Sequence, residues 1–169
     1  MVHLANKVEW CLKKAEKELN GGKKHRGLIK IKPNKSKAYA HIVKAEHYIM
    51  ASDWLYKGNF SDICASTLFY AMYHCLLAIA ARYGFESRNQ ECTFALIAYL
   101  IDGGKISFEK EMLGKIALMD ESEKMGYTSL ELREMYQYGT SLLLAEKLYT
   151  ELSAFAREVI SKAKEELVK

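Results

Sequence analysis

Apolar positions recur at helical spacing along most of this chain, around Ile63 to Ala81. That stretch is nineteen residues long and holds no Asp, Glu, Lys or Arg, with Asp62 before it and Arg82 after it. A helix built from it is apolar or weakly polar on every face, so it must be surrounded. About 20 such residues also span a bilayer. However, Ser66, Thr67, Tyr70, Tyr73 and His74 stand at its middle, where hydrocarbon penalises polar groups and where no aromatic belt belongs. The pattern therefore predicts a central buried helix over about 60–83 and no membrane span.

The flanking segments predict the helices that cover it. Residues 4–19 place Leu4, Val8, Cys11, Leu12, Ala15 and Leu19 on one stripe, and Asn20-Gly21-Gly22 ends it. A second helix runs from about Ser36 to Lys57 with two adjacent stripes. One is Ile42, Ala45, Ile49 and Tyr56; the other is Val43, His47, Met50 and Trp54. Two stripes imply two neighbours. Gly58 closes this helix and Asn59 is placed to cap the next, so the two form an antiparallel pair. Ser87-Arg88-Asn89-Gln90 fits a capping box that opens a helix ending at Asp102-Gly103-Gly104. Ser107 to Lys124 is helical with Met112, Leu113, Ile116 and Met119 inward. Thr128 to Glu131 fits another capping box, and from Ser129 to Val168 the pattern is helical, with Gly139 the one weak point.

The expectation is one all-α domain: an antiparallel up-and-down bundle of four to five main helices around the central one. Its parts are an N-terminal helix (1–20), a basic connector (21–37) and a core (38–168). A length of 169 residues, half of them hydrophobic, suits one sizeable core. Pro33, the one proline, keeps the connector from forming a regular helix. Leu28, Ile29 and Ile31 are placed to lay an extended strip on the core.

Charge changes the picture in one place. Residues 1–47 hold twelve Lys/Arg against four Glu, while the net charge of the whole chain is only +4. Most of the excess lies in Lys23, Lys24, Arg26, Lys30, Lys32, Lys35 and Lys37. Such a run suits phosphate backbones or anionic surfaces, or else a solvated linker held open by self-repulsion. Without interleaved aromatics the linker reading is the simpler one. The N-terminus lacks the apolar region of a secretory signal, which predicts a cytoplasmic protein. Cys11, Cys64, Cys75 and Cys92 form no CxxC pair and read as small buried hydrophobes. No metal site or cofactor motif is predicted: Gly-rich phosphate loops, HExxH and GxSxG are all missing. His3 and His25 fall in the basic N-terminal part; these and His41, His47 and His74 read as structural or exposed.

Several residues together carry a resemblance. Ala51, Trp54, Gly58, Phe60, Asp62, Phe69-Tyr70-Ala71, His74, Ala78 and Gly84 resemble the pattern of the HEPN domain (higher eukaryotes and prokaryotes nucleotide-binding), in its small stand-alone archaeal and bacterial branch. The segment from Leu132 to Leu167 is similar to the last two helices of that family, so the likeness covers about 38–168. It implies a helical bundle, commonly a homodimer, that binds RNA or nucleotide. In many members it is a metal-independent ribonuclease with an R-x4-6-H motif, in some paired with a nucleotidyltransferase antitoxin in a toxin–antitoxin or defence setting. In that motif arginine grips the phosphate and histidine moves a proton near neutral pH.

At the matching position this chain has Arg133, then Tyr136, Tyr138 and Gly139. Tyr138 stands where the histidine belongs, and an unperturbed tyrosine, with a pKa of about 10, is a poor base at pH 7. Arg133 and Tyr138 are thus the candidate catalytic pair, with weak or lost hydrolysis as the expectation. Arg133, Tyr136, Tyr138, Arg88, Asn89, Lys30 and Lys32 are the candidate RNA or nucleotide contacts. Two other functions are expected to compete with this one: a non-catalytic module that docks another protein on an exposed helix face, and an active ribonuclease that uses Tyr138.

Overall fold

The computed structural model describes residues 2–121 and 146–169. Arg133, Tyr136, Tyr138, the Thr128 capping box and the Gly139 weak point lie outside the described residues. Within them the fold is an all-α bundle of six helices and one small sheet: α1 (Val2–Asn20), β1 (Leu28–Lys30), α2 (Lys35–Lys57), α3 (Cys64–Arg82), β2 (Phe85–Ser87), α4 (Gln90–Asp102), α5 (Lys110–Glu121) and α6 (Glu146–Val168).

Helix α3 is the centre. Its residues Leu68, Met72, Cys75, Leu76 and Ile79 are fully buried, and α2, α4, α5 and α6 all pack on it. The apolar run that passes for a membrane span by length and composition is thus wrapped by the amphipathic helices on either side of it. Helix α2 lies antiparallel to α3, because contacts descend on one helix as they climb on the other. His41 meets His74, Tyr48 meets Tyr70, and the Cys64 thiol donates to the Ser52 carbonyl at 3.4 Å. Helix α6 closes the other side of α2. Asp53 accepts from Tyr149 Oη at 2.8 Å and from Arg157 at 2.6 Å, and Lys164 reaches Glu46 at 2.6 Å. Buried Glu166 of α6 accepts from the Ser107 amide at 3.0 Å and so ties the loop before α5 to the bundle.

Several details differ from the expectation, each for a local reason. Asn59 takes a left-handed φ of 63° and turns the chain instead of capping a helix. A short 3-10 turn over Ser61–Ile63 follows it, and α3 begins at Cys64. Asn89, not Ser87, caps α4, its Oδ1 accepting from the Cys92 amide at 2.9 Å, because Ser87 belongs to β2. Of the two stripes on α2, Ile42, Ala45 and Ile49 are buried, while Val43, Met50 and Trp54 face out. The helix has its two neighbours, but both take the first stripe and its edges.

The connector departs from the linker reading but keeps the expected extended strip, with Leu28 buried. It is not an open linker. Leu28, Ile29 and Lys30 pair antiparallel with Ser87, Glu86 and Phe85. The pairing is extended by the Ile31 amide on the Gly84 carbonyl (2.9 Å) and the Arg88 amide on the Gly27 carbonyl (3.1 Å). Gly27 passes so close to α1 that a Cβ there would overlap the Cys11 carbonyl oxygen. Gly84, with φ of 82°, makes the tight exit from α3. His25 is buried against Glu86, Nε2 to Oε1 3.4 Å, the structural one of the two roles its sequence position left open. Strand pairing and one half-buried carboxylate partner outweigh the self-repulsion of the lysines.

The cysteines also depart from the reading. Cys64 and Cys75 are free and buried, as small hydrophobes are. Cys11 and Cys92 are instead joined by a disulfide between α1 and α4, Cα to Cα 5.8 Å. Spacing along the chain does not reveal a pair separated by 81 residues.

Candidate functional site

Where α2, the end of α3 and β2 meet, they enclose a pocket of about 190 Å³ lined by Lys37, His41, Leu77, Ala81, Phe85, Glu86, Ser87 and Arg88. Each charged group reaches it for a local reason. Asn34 caps α2 by accepting from the Lys37 amide at 2.8 Å. This starts the helix so that Lys37 and His41, one turn apart, share the side facing β2. The pairing of β2 with β1 sets Glu86 and Arg88 on the same side of that strand. Leu77, Ala81 and Phe85 make the apolar wall.

Glu86 is the electrostatic hub. It accepts from Lys37 Nζ at 2.5 Å and from Arg88 Nε at 3.0 Å, and it faces His25. The hydrogen bond from Lys37 is the main force that lowers its pKa, to about 2. Arg88 and His25 act the same way, and burial opposes them. The carboxylate is therefore ionised at any ordinary pH, and the two cations are held over the pocket by a charge that a stronger anion would have to displace.

Behind this cluster stands a histidine pair. His41 Nδ1 and His74 Nδ1 are 3.0 Å apart, so one ring donates to the other and both cannot be protonated there. Burial, then His74, then Lys37 push the His41 pKa down to about 4, with Glu86 pulling weakly the other way. Burial and then Lys44 lower that of His74. Both rings are thus neutral near pH 7 and able to take a proton if an anion brings negative charge to the pocket. An aromatic ladder leads away along the α2–α3 groove. His74 stacks on Tyr48 (centroids 5.5 Å), Tyr48 on Tyr70 (6.0 Å), and Lys44 lies 5.1 Å over the Tyr48 ring. Tyr70 is exposed at the far end.

Of the candidate RNA or nucleotide contacts among the described residues, Arg88 alone lines this pocket. Asn89 is engaged as the α4 cap. Lys30 pairs by backbone with Phe85 and its side chain is exposed, as is that of Lys32. Arg133, Tyr136 and Tyr138 lie outside the described residues. Sequence reasoning passed over Glu86, read His41 and His74 as structural or exposed, and counted Lys37 only as one charge of the basic run. The available signal was the Lys37–His41 spacing of one turn on a helix paired with the one that carries His74. The interleaved aromatics that the connector lacks come from α2 and α3. No group of three or more His, Cys, Asp or Glu stands together as metal ligands among the described residues. The chain matches no protein-family model and no curated protein.

Proposed function

We propose that this chain is a HEPN-type helical-bundle protein that binds RNA or a nucleotide, with a phosphate seated between Lys37, Arg88 and the His41 ring. The observation that carries the reading is the convergence of two cations and His41 on one pocket, with His74 behind His41 starting a stacking ladder that leads away. Cations fix the backbone and aromatic faces accept bases without regard to sequence, which is how single strands are held. A pocket of about 190 Å³ is smaller than the roughly 300 Å³ at which sites for whole small molecules begin. It therefore suits one phosphate of a longer ligand, with its base outside on the ladder. Glu86 competes for the same cations, so binding is moderate and anion exchange accompanies it. Weak or lost cleavage follows from Tyr138 at the motif position, and the toxin–antitoxin setting rests on the resemblance alone.

The test is fluorescence anisotropy with a short labelled single-stranded RNA across a salt series. Expected are binding at low salt, a roughly tenfold loss in the double variant Lys37→Ala/Arg88→Ala, and a salt slope shallower by about 0.7 for each phosphate contact removed. Incubation with EDTA should leave the RNA intact. Metal-independent cleavage abolished by Arg133→Ala would replace this reading with an active ribonuclease. No binding even at low salt would leave the interaction module as the better account.

A further inference from the structure

The Cys11–Cys92 disulfide and the candidate pocket are joined through Arg88, which lines the pocket wall. Each cysteine is one step from it. On the α1 side, the Cys11 carbonyl lies so close to Gly27 that no side chain fits between them. The Gly27 carbonyl in turn accepts from the Arg88 amide at 3.1 Å. On the α4 side, the Cys92 amide donates to Asn89 Oδ1 at 2.9 Å, and Asn89 follows Arg88 in the chain. Ser87, also on the pocket wall, is held from this side too. Thr93 Oγ1, next to Cys92, is 2.8 Å from Ser87 Oγ and 2.9 Å from the Asn89 carbonyl. Cys11, Gly27, Arg88, Asn89 and Cys92 therefore form a closed circuit of contacts, and the disulfide shuts it.

Opening that circuit acts on the pocket through α1. Without the bond, α1 is held by a narrow apolar stripe and by the partly exposed ion pair of Lys7 with Glu91, and such pairs contribute little. Segments with so few buried contacts open first. When α1 lifts, Gly27 loses the carbonyl it packs against, and β1 loses its cover. The strand pairs with β2 over three residues only, so Glu86 and Arg88 lose the support that sets them on one side of the pocket. Helix α1, docked or lifted, is the two-state element that a coupling between distant sites requires.

We infer that the Cys11–Cys92 bond arms the pocket: the oxidised chain holds Arg88 and Ser87 in the anion-binding arrangement, and the chain with both cysteines reduced binds the same phosphate ligand more weakly. The inference rests on the reading of this pocket as a phosphate site. The chemical step is a thiol–disulfide exchange with a dithiol donor. Two electrons and two protons pass to the bond, the S–S bond breaks, Cys11 and Cys92 each become a thiol, and the donor leaves as its own disulfide. Cys64 and Cys75 take no part, being free in both states. Coupling is reciprocal, so a ligand that prefers the oxidised chain by about tenfold lowers the reduction potential of the bond by about 30 mV when it saturates the pocket.

The experiment compares the full chain refolded with and without dithiothreitol, titrated at low salt with the same labelled single-stranded RNA. The reduced chain should bind about tenfold more weakly. Cys11→Ser/Cys92→Ser should bind as weakly in either condition. Leu113→Ala, a core truncation on α5, should bind as tightly as the oxidised wild type, which separates gating of the pocket from a general loss of stability. Circular dichroism checks that the reduced chain is folded. Hydrogen exchange reads the coupling directly: relative to α6, the Arg88 amide should exchange about tenfold faster in the reduced chain. Equal affinity in the two states, with the oxidised chain binding, would overturn the inference and leave the pocket reading in place. An Arg88 amide protected alike in both states would overturn it as well. So would a reduced chain that unfolds outright, because the bond would then hold the whole fold and not the pocket. No RNA binding in either state would remove the pocket reading and the inference together.

Discussion

Helices α1 and α3 are each nineteen residues long. Helix α3 buries twelve of its side chains and meets α2, α4, α5 and α6. Helix α1 buries three among its described side chains, Val8, Cys11 and Ala15, and its main neighbours are α4 and β1. One of those three is a half of the disulfide. Burial on every side holds the first helix. The second has a narrow apolar stripe, a strand that passes beneath it, an ion pair from Lys7 to Glu91 and one covalent bond. An isolated helix of this length is marginal in water, so the bond and the strand decide whether α1 stays docked, whereas nothing short of unfolding releases α3.

The largest effect that separates the two comes from removing the bond. Closing a loop of about 80 residues constrains the unfolded chain by about 4 kcal/mol in the entropic account. The variant Cys11→Ala/Cys92→Ala should lose stability of that order in urea unfolding. Its α1 amides should also exchange hydrogen faster than the global loss explains. Leu76→Ala, in the middle of α3, should cost about 3 kcal/mol and lower protection in all helices alike. An α1 that exchanged no faster than α3 in the first variant would break the comparison. Gly27→Ala should cost about 2 kcal/mol through overpacking against the Cys11 carbonyl, and hydrogen exchange should place its effect in α1 and β1.

The smallest effect belongs to the α3 side and depends on pH. His41 titrates near 4 in the folded chain and near its ordinary value of 6.5 when unfolded. Between these values the unfolded state binds more protons. The contribution is thus present above pH 6.5 and is lost as pH falls through 4. His41→Asn should flatten stability against pH across that window by about 1 kcal/mol, allowing for partial exposure. Denaturation midpoints at pH 7, 5.5 and 4 measure it.

Most of the fold was legible in the sequence because periodicity is a local property. The stripes of α1, α2 and α5 stand within single segments, as do Gly58 and the end of α3 near Gly84, and a charge-free run with polar residues at its middle reads as a centre. What the sequence did not disclose needs two or more distant segments at once. The disulfide joins α1 to α4, and the β1–β2 pair brings a basic connector to a lone acidic strand residue. The candidate pocket draws Lys37 and His41 from α2, Leu77 from α3, and Glu86 and Arg88 from β2. Read singly, each of these is an ordinary surface or core residue. The exposed stripe of α2 was visible as a pattern, but hydrophobic spacing does not say whether its cover comes from within the chain.

The disulfide also lets the chain record where it folded. Cys11 and Cys92 are fully buried, so a reductant reaches the bond only when α1 lifts, and the bond persists after the surroundings change. Alkylation under denaturing conditions counts two thiols per chain, Cys64 and Cys75, when the bond is present, and all four when it never formed. Applied to protein taken directly from its cells, that count reads out the redox history of the compartment that assembled it.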